Sequence, residues 1–155
     1  MEIKDKIELL KTEYFKLQDY YESFDTKVQT IKGWSATVSI GAISAGFAYK
    51  NEYIWVFAAL TALVFWIMDA KWKIFQYCYS QRITEIEKAF REDNFENIVP
   101  IQIYSSWFRS WESGNYKLRN VLFMFIVTIP YLYTIIICIL LFFLKNHYKN
   151  LFWQF

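Results

Sequence analysis

Few side chains in this sequence are suited to catalysis or metal binding, and they lie far apart. The single histidine, His147, has no acidic residue near it. Most metal sites and histidine-based catalysis are therefore excluded. Cys78 and Cys138 have neither the spacing nor the context of a disulfide or a metal site. Because glycine-rich phosphate loops and serine nucleophile motifs are also missing, we predict no enzyme activity, no catalytic residue, no metal and no cofactor.

Asp69 is the one acidic residue that abuts a long apolar run, Ile54–Met68. An ionisable group at the edge of a membrane span is a candidate for function, here as an ion- or proton-linked group at a pore mouth. The alternative is an acid at the membrane interface that pairs with Lys73, four residues later, or with a base on the N-terminal helix. Structural pairing is the commoner role of such a residue.

Three apolar blocks would position these groups, and together they indicate a membrane protein. The chain is 55% apolar and 22% aromatic, whereas soluble chains are about 45–50% apolar. Val121–Leu144 contains no charge and exceeds the roughly 20 residues that cross a hydrocarbon core about 30 Å thick. The other two blocks reach the lower end of that range. We predict spans at 33–49, 53–69 and 120–145, and the alternative is a buried hairpin in a soluble protein.

The distribution of basic residues predicts the orientation of these spans. All seventeen bases lie in residues 1–32 or 69–120, except Lys50, Lys145 and Lys149. The positive-inside rule then places the N-terminus and residues 70–119 in the cytoplasm, with the C-terminus outside. A net charge of +2 is too small to indicate nucleic-acid binding. The charged start of the chain is not a signal peptide.

A regular apolar stripe runs along residues 2–32 at alternating spacings of four and three. Such a stripe packs one face of a helix against a partner. Similar spacing follows the second span as far as Phe90, so we predict two long helices, Glu2–Tyr49 and Tyr53–Arg91, whose cytoplasmic parts pair antiparallel. The stripe is a candidate surface for an oligomer or a soluble partner, although plain core is its commoner role. The candidate residues are Ile7, Leu10, Tyr14, Leu17, Tyr21, Phe24 and Val28.

The first predicted span is rich in small residues, which allow helices in lipid to approach closely. We therefore predict that it is buried between helices, either of several subunits or within one chain. The candidate pore-lining or helix-packing residues are Ser35, Ser39, Ala42, Gly46 and Asp69.

Residues 93–119 are predicted to be an interfacial loop with one short helix. Pro100 within a β-branched run favours extended backbone. Ser105-Ser106 could cap a helix that carries aromatic residues beside Arg109, a combination suited to lipid headgroups. Pro130 should kink the third span, and the tail from His147 to Phe155 is predicted to lie in the outer interface.

The layout of Val38–Arg91, in which Phe65-Trp66-Ile67-Met68-Asp69-Ala70 leads into a charged helix, resembles the small transmembrane effectors of bacterial antiphage defence, including the SLATT-type group. That resemblance implies oligomerisation in the inner membrane and loss of its barrier function when triggered. The third predicted span departs from a two-span pattern.

These inferences combine into one expectation. The fold should be an all-α integral membrane bundle with a long antiparallel helical hairpin in the cytoplasm and a third transmembrane helix. We expect a multi-pass protein of the inner membrane that associates with itself and forms or gates a pore. The second hypothesis is a membrane scaffold whose cytoplasmic helices bind a soluble partner, and an enzyme acting on lipid is the third. The expected partners are the lipid bilayer and further copies of the chain, and nucleic acid is not among them.

Overall fold

The structure, a computed structural model that describes residues 2–147, is built from helices. It contains no strand in that range, so the all-α prediction is confirmed. The helices are α1 (Ile3–Ala48), α2 (Tyr53–Arg91), α3 (Ile103–Glu112), α4 (Leu118–Leu122) and α5 (Phe125–His147). The predicted bounds of the two long helices agree with α1 and α2 to within one residue. The prediction for the tail after His147 falls outside the described residues.

The chain divides into two compact units, and α1 and α2 each contribute to both. One, here called the hairpin unit, comprises the chain up to Lys27 together with Lys71–Leu118. The other, here called the apolar unit, comprises Val28–Ala70 and the chain from Arg119 onward.

The core of the hairpin unit lies between the N-terminal part of α1 and the C-terminal part of α2. Leu10 and Leu17 are fully buried and belong to one cluster with Ile83 and Ile86. Tyr14 donates a hydrogen bond to Glu87, and the Tyr21 carbonyl accepts one from Gln76. The later α1 residue, Tyr21, therefore contacts the earlier α2 residue, Gln76, so the two segments are antiparallel. The predicted pairing of these segments is confirmed.

Helix α3 begins earlier than its sequence indicates. The prediction that Ser105-Ser106 caps this helix is wrong, because α3 starts at Ile103 and both serines lie inside its first turn. The residue before α3, Gln102, makes no capping hydrogen bond with its side chain. Instead, the Glu13 carboxylate of α1 binds the two backbone N–H groups that immediately precede α3.

The apolar unit contains α5 and the part of α2 up to Ala70. Two helices of the described residues are long and apolar enough to cross a membrane, Tyr53–Arg91 and Phe125–His147. The predicted first span is helical but is not among them, because its serine, threonine and glycine residues lower its hydropathy. The predicted span 120–145 is also divided, since α4 ends at Leu122 and α5 begins at Phe125. The Leu122 carbonyl at this break accepts hydrogen bonds from the Trp66 indole (3.0 Å) and the Thr128 hydroxyl (2.7 Å) instead of a helical N–H.

Contacts at both ends of α5 define its direction in the apolar unit. Trp66, late in the apolar part of α2, bonds to Leu122, just before α5. Lys145, at the end of α5, forms an ion pair with Glu52 in the turn before α2. Helix α5 is therefore antiparallel to α2, and its end returns to the turn at residues 50–53, as the predicted order of spans requires.

Candidate functional site

One polar cluster lies inside the apolar unit and joins three helices. Asp69 of α2 and Tyr131 of α5 are both fully buried. The Tyr131 hydroxyl donates a hydrogen bond of 3.1 Å to Asp69 Oδ2. Lys32 Nζ of α1 lies 3.7 Å from the same oxygen. The cluster thus pairs an acid with a base at a place where an unpaired charge would be costly.

Pro130 explains the second contact that Lys32 makes. Proline has no backbone N–H, so the carbonyl four residues earlier, that of Ile126, lacks its usual helical partner. Lys32 Nζ donates a hydrogen bond of 2.9 Å to this carbonyl. One ammonium group therefore neutralises Asp69 and also satisfies the backbone oxygen that Pro130 leaves open.

The placement of Asp69 decides between its two predicted pairings. Its basic partner is Lys32 on the N-terminal helix, whereas Lys73 bonds to Asp25 and Gln76. The contacts of this cluster link α1, α2 and α5. Among residues 2–147, no group of three or more histidine, cysteine or acidic side chains could hold a metal ion.

The predicted small-residue candidates lie on the side of α1 that packs within the chain. Ser35, Ser39 and Gly46 are buried, and Ala42 packs beside the buried Trp55. A Cβ atom added to Gly46 would collide with the Trp55 ring. That ring is held in place, because its Nε1 donates a hydrogen bond of 3.1 Å to the Ile43 carbonyl. These residues therefore serve intrachain packing, which was one of the two predicted roles.

A second row of small residues occupies the opposite side of the same helix and is exposed. We call it the small face, and its members are Gly33, Thr37, Gly41, Ser44 and Ala48. At 3.6 residues per turn, their spacing of 4, 4, 3 and 4 keeps them on one side. A Cβ added to Gly33 or Gly41 would meet no atom within 4 Å. The spacing of the small face is visible in the sequence. Composition alone did not show which of the two rows of small residues would be exposed and which would be buried.

Large apolar side chains surround the apolar unit and point away from it. Phe57 is 67% exposed, Phe143 is 64% exposed and Ile40 is 66% exposed. In the most apolar 18-residue stretches of α2 and α5, only 28% and 17% of the stretch is buried. The core helix of a soluble protein would be mostly buried, whereas exposed apolar surfaces of this size mark sites that meet a membrane or another protein.

The predicted oligomer or partner stripe is largely used in intrachain packing. Leu10, Leu17 and Phe24 are buried in the hairpin unit, and Ile7, Tyr14 and Tyr21 pack against its core cluster. Val28 is buried in the apolar unit. These side chains do not form an open docking surface.

The hairpin unit contains a buried ion pair between Glu13 and Arg82 that the apolar pattern of the sequence did not predict. The Glu13 carboxylate accepts two hydrogen bonds from Arg82, at 3.0 and 3.2 Å. It also accepts the backbone N–H groups of Ile101 (2.7 Å) and Gln102 (3.1 Å), immediately before α3. Its position between Leu10 and Leu17, three residues after one and four before the other, is the signal that would have placed Glu13 on the buried side.

This ion pair fixes an unusual backbone conformation. Ile101 has a φ of 62°, a left-handed conformation that β-branched residues rarely adopt. Such a residue costs on the order of 1–3 kcal/mol and persists only where its surroundings hold it. Here Glu13 binds the Ile101 N–H, and Arg82 donates a hydrogen bond of 2.6 Å to the Val99 carbonyl.

Comparisons of the chain with protein-family models, with curated proteins and with solved structures find no match.

Proposed function

We propose that this chain is a multi-pass helical protein of the inner membrane that associates with itself through α1 and forms or gates a pore. The membrane part of the proposal rests on the exposed apolar surface of α2 and α5. The Trp34 side chain, 64% exposed beside Lys32, suits the boundary between headgroups and hydrocarbon. The basic residues of the hairpin unit favour a cytoplasmic position for that unit.

The small face of α1 is the observation that carries the self-association step. In lipid, helices associate by close backbone approach at small residues rather than by hydrophobic exclusion. The buried row on α1 is already filled by Trp55, whereas the small face has no neighbour near Gly33 or Gly41. A second copy of α1 is the partner that such a face fits best.

The same face supplies the hydroxyl groups for a pore lining. Thr37 and Ser44 are the exposed hydroxyl residues of the segment 33–48, whereas Ser35 and Ser39 are buried. Copies packed on this face around an axis would bring these hydroxyls together. The layout of the chain resembles that of antiphage effectors, and we propose membrane permeabilisation of that kind as the biological role.

The experiment compares two substitutions on α1 that introduce the same side chain, leucine. Gly41→Leu places a large side chain on the small face, and Ala36→Leu places it at another exposed position of the same helix. We expect wild type and Ala36→Leu to exceed the monomer mass of 18.8 kDa in detergent and to conduct in planar bilayers. Gly41→Leu should be monomeric and non-conducting. A monomeric, non-conducting wild type would contradict the proposal.

The scaffold function remains a second candidate because of one groove on the hairpin unit. Phe15 is 65% exposed beside a groove of about 590 Å³ that Lys11, Tyr14 and Phe90 also line. If the protein is a scaffold, Phe15→Asp should abolish its cellular activity while Gly41→Leu leaves that activity intact. If it is a pore, the two variants should behave in the opposite way.

A further inference from the structure

A small cavity in the hairpin unit contains a single charged group and one buried hydroxyl. Its volume is about 240 Å³, and it lies between α2 and the segment from the end of α3 to Leu118. Among the described residues that line it, Lys71 is the only charged one, and Ile74, Trp111 and Tyr116 lie beside it. No described residue forms an ion pair with Lys71, whose side chain is exposed. The absence of any acidic residue from the lining favours an anionic ligand.

Ser110 gives the cavity a second polar group. Its side chain is 2% exposed, and none of the described oxygen or nitrogen atoms forms a hydrogen bond with its Oγ. Its neighbour is the thiol of Cys78, which also lines the cavity and is only a weak hydrogen-bonding group. Buried hydroxyl groups in folded proteins nearly always have a partner, so a ligand oxygen placed in the cavity would give Ser110 a stronger one than the thiol.

The position of Lys71 on α2 indicates where this ligand comes from. Lys71 follows Met68, the last residue of the apolar run, by three residues, which is about 4.5 Å along a helix. Headgroup layers extend about 5–8 Å beyond the hydrocarbon core on each side. The rings of Trp111 and Tyr116 are amphipathic side chains of the kind enriched at that depth.

We propose that this cavity binds the phosphate-bearing headgroup of an anionic phospholipid, with Lys71 pairing with the phosphate and Ser110 bonding to a headgroup oxygen. A volume of 240 Å³ is about that of eight water molecules at ~30 Å³ each. That is enough for a glycerophosphate group but not for acyl chains, which stay in the bilayer. The inference rests on the proposed insertion of the chain into a membrane.

The test measures which lipids the purified full-length protein retains. The protein in mild detergent is equilibrated with equal amounts of phosphatidylglycerol and phosphatidylcholine, and bound lipids are counted by native mass spectrometry. We expect phosphatidylglycerol to be preferred about fivefold, the factor that one lysine contributes near an anionic surface. Lys71→Gln should remove this preference. Lys16→Gln, which removes an exposed base from α1 of the same unit, should retain it.

Two further arms identify the source of the phosphate and the role of the cavity. Ser110→Leu fills the cavity and should abolish the preference although Lys71 is present, provided that its thermal midpoint matches wild type. Glycerol 3-phosphate at millimolar concentration should not displace the lipid. If it does, or if Lys71→Gln keeps the wild-type preference, the inference is wrong. If the chain stays in vesicles after a carbonate wash but shows no headgroup preference, this inference alone is wrong. If the carbonate wash removes the chain from the vesicles, the proposed function is wrong.

Discussion

The charge on Asp69 is stable in the apolar unit because one other residue compensates it. The carboxylate is fully buried, and the Lys32 ammonium and the Tyr131 hydroxyl both approach Oδ2. Removing one partner of a buried pair leaves an uncompensated charge, whereas removing both does not. A variant that removes one partner therefore measures the cost of an orphaned charge, and a variant that removes both partners measures the net contribution of the pair.

At the residue scale, we predict that Lys32→Met lowers the free energy of unfolding by about 3–5 kcal/mol, because Asp69 loses its counter-charge. The double variant Lys32→Met/Asp69→Asn should recover most of that loss. Lys88→Met is the control, since Lys88 and Glu92 form an exposed pair, which contributes about 0–1 kcal/mol. Denaturant titration in micelles measures all three. A double variant that is less stable than Lys32→Met would contradict the orphaned-charge explanation.

The sequence identified Asp69 but only part of its environment. Its position at the end of an apolar run marked it, and a base on the N-terminal helix was one of the two predicted partners. Tyr131 could not be predicted, because it lies 62 residues further along the chain on a different helix. The link from Pro130 to Lys32 was also hidden, since it depends on which carbonyl of α5 faces α1.

At the scale of elements, α3 starts where a carboxylate from another helix captures two backbone N–H groups. The first N–H groups of a helix have no partner within it, and a negative charge there is also favoured by the helix dipole. Glu13 supplies that charge, and Arg82 neutralises it from the other side. The segment before α3 therefore depends on α1 and α2 rather than on its own sequence.

We predict that Glu13→Gln increases amide hydrogen exchange across residues 98–112. The glutamine presents an N–H₂ group to donors, so hydrogen bonds are lost and the buried Arg82 keeps only the half-exposed Glu85 as a counter-charge, at a cost of up to about 3–5 kcal/mol. Glu85→Gln is the matched control, because Glu85 is 42% exposed and accepts one hydrogen bond from Arg82 at 3.3 Å. Unchanged exchange in Glu13→Gln would show that the segment is held by other contacts.

The elements differ in how well the sequence predicted them. The bounds of α1 and α2 followed from uninterrupted apolar spacing and from the polar turn at Lys50. The separation of α4 from α5 did not, because Phe123 and Met124 contain no helix-breaking signal. The start of α3 was missed for another reason: the backbone just before it is held by Glu13, about ninety residues earlier, and local sequence does not reveal that contact.

At the scale of the whole molecule, the two units place apolar side chains in opposite ways. The hairpin unit buries its apolar stripe in a core, whereas the apolar unit exposes Phe57 and Phe143. Composition predicted both arrangements, because charged residues flank the apolar stripe of residues 2–32 and are missing from the three apolar blocks. The sequence singled out Gly46 and its row on α1 but left open whether they line a pore or pack within the chain, because that depends on Trp55 entering the space beside Gly46.

We predict that the hairpin unit loses stability as the pH rises through about 10. Burial raises the pKa of Tyr21, Tyr77 and Tyr79 above the ordinary tyrosine value of 10.0. Above that value the unfolded tyrosines ionise while the folded ones stay neutral, so unfolding is favoured and stability falls with rising pH. Thermal midpoints from circular dichroism at about pH 8 and pH 11 measure the change. Replacing the three tyrosines by phenylalanine should reduce it, and an equal change in that variant would contradict the assignment.

The contacts of Glu13 also have a consequence for synthesis on the ribosome. Glu13 is translated long before Arg82, Ile101 and Gln102, which together donate its four hydrogen bonds. Leu10 and Leu17 likewise wait for Ile83 and Ile86. The N-terminal helix is therefore synthesised with an exposed apolar face and an unpaired carboxylate, and it can make its final contacts only after the apolar part of α2 and the start of α3 have been translated.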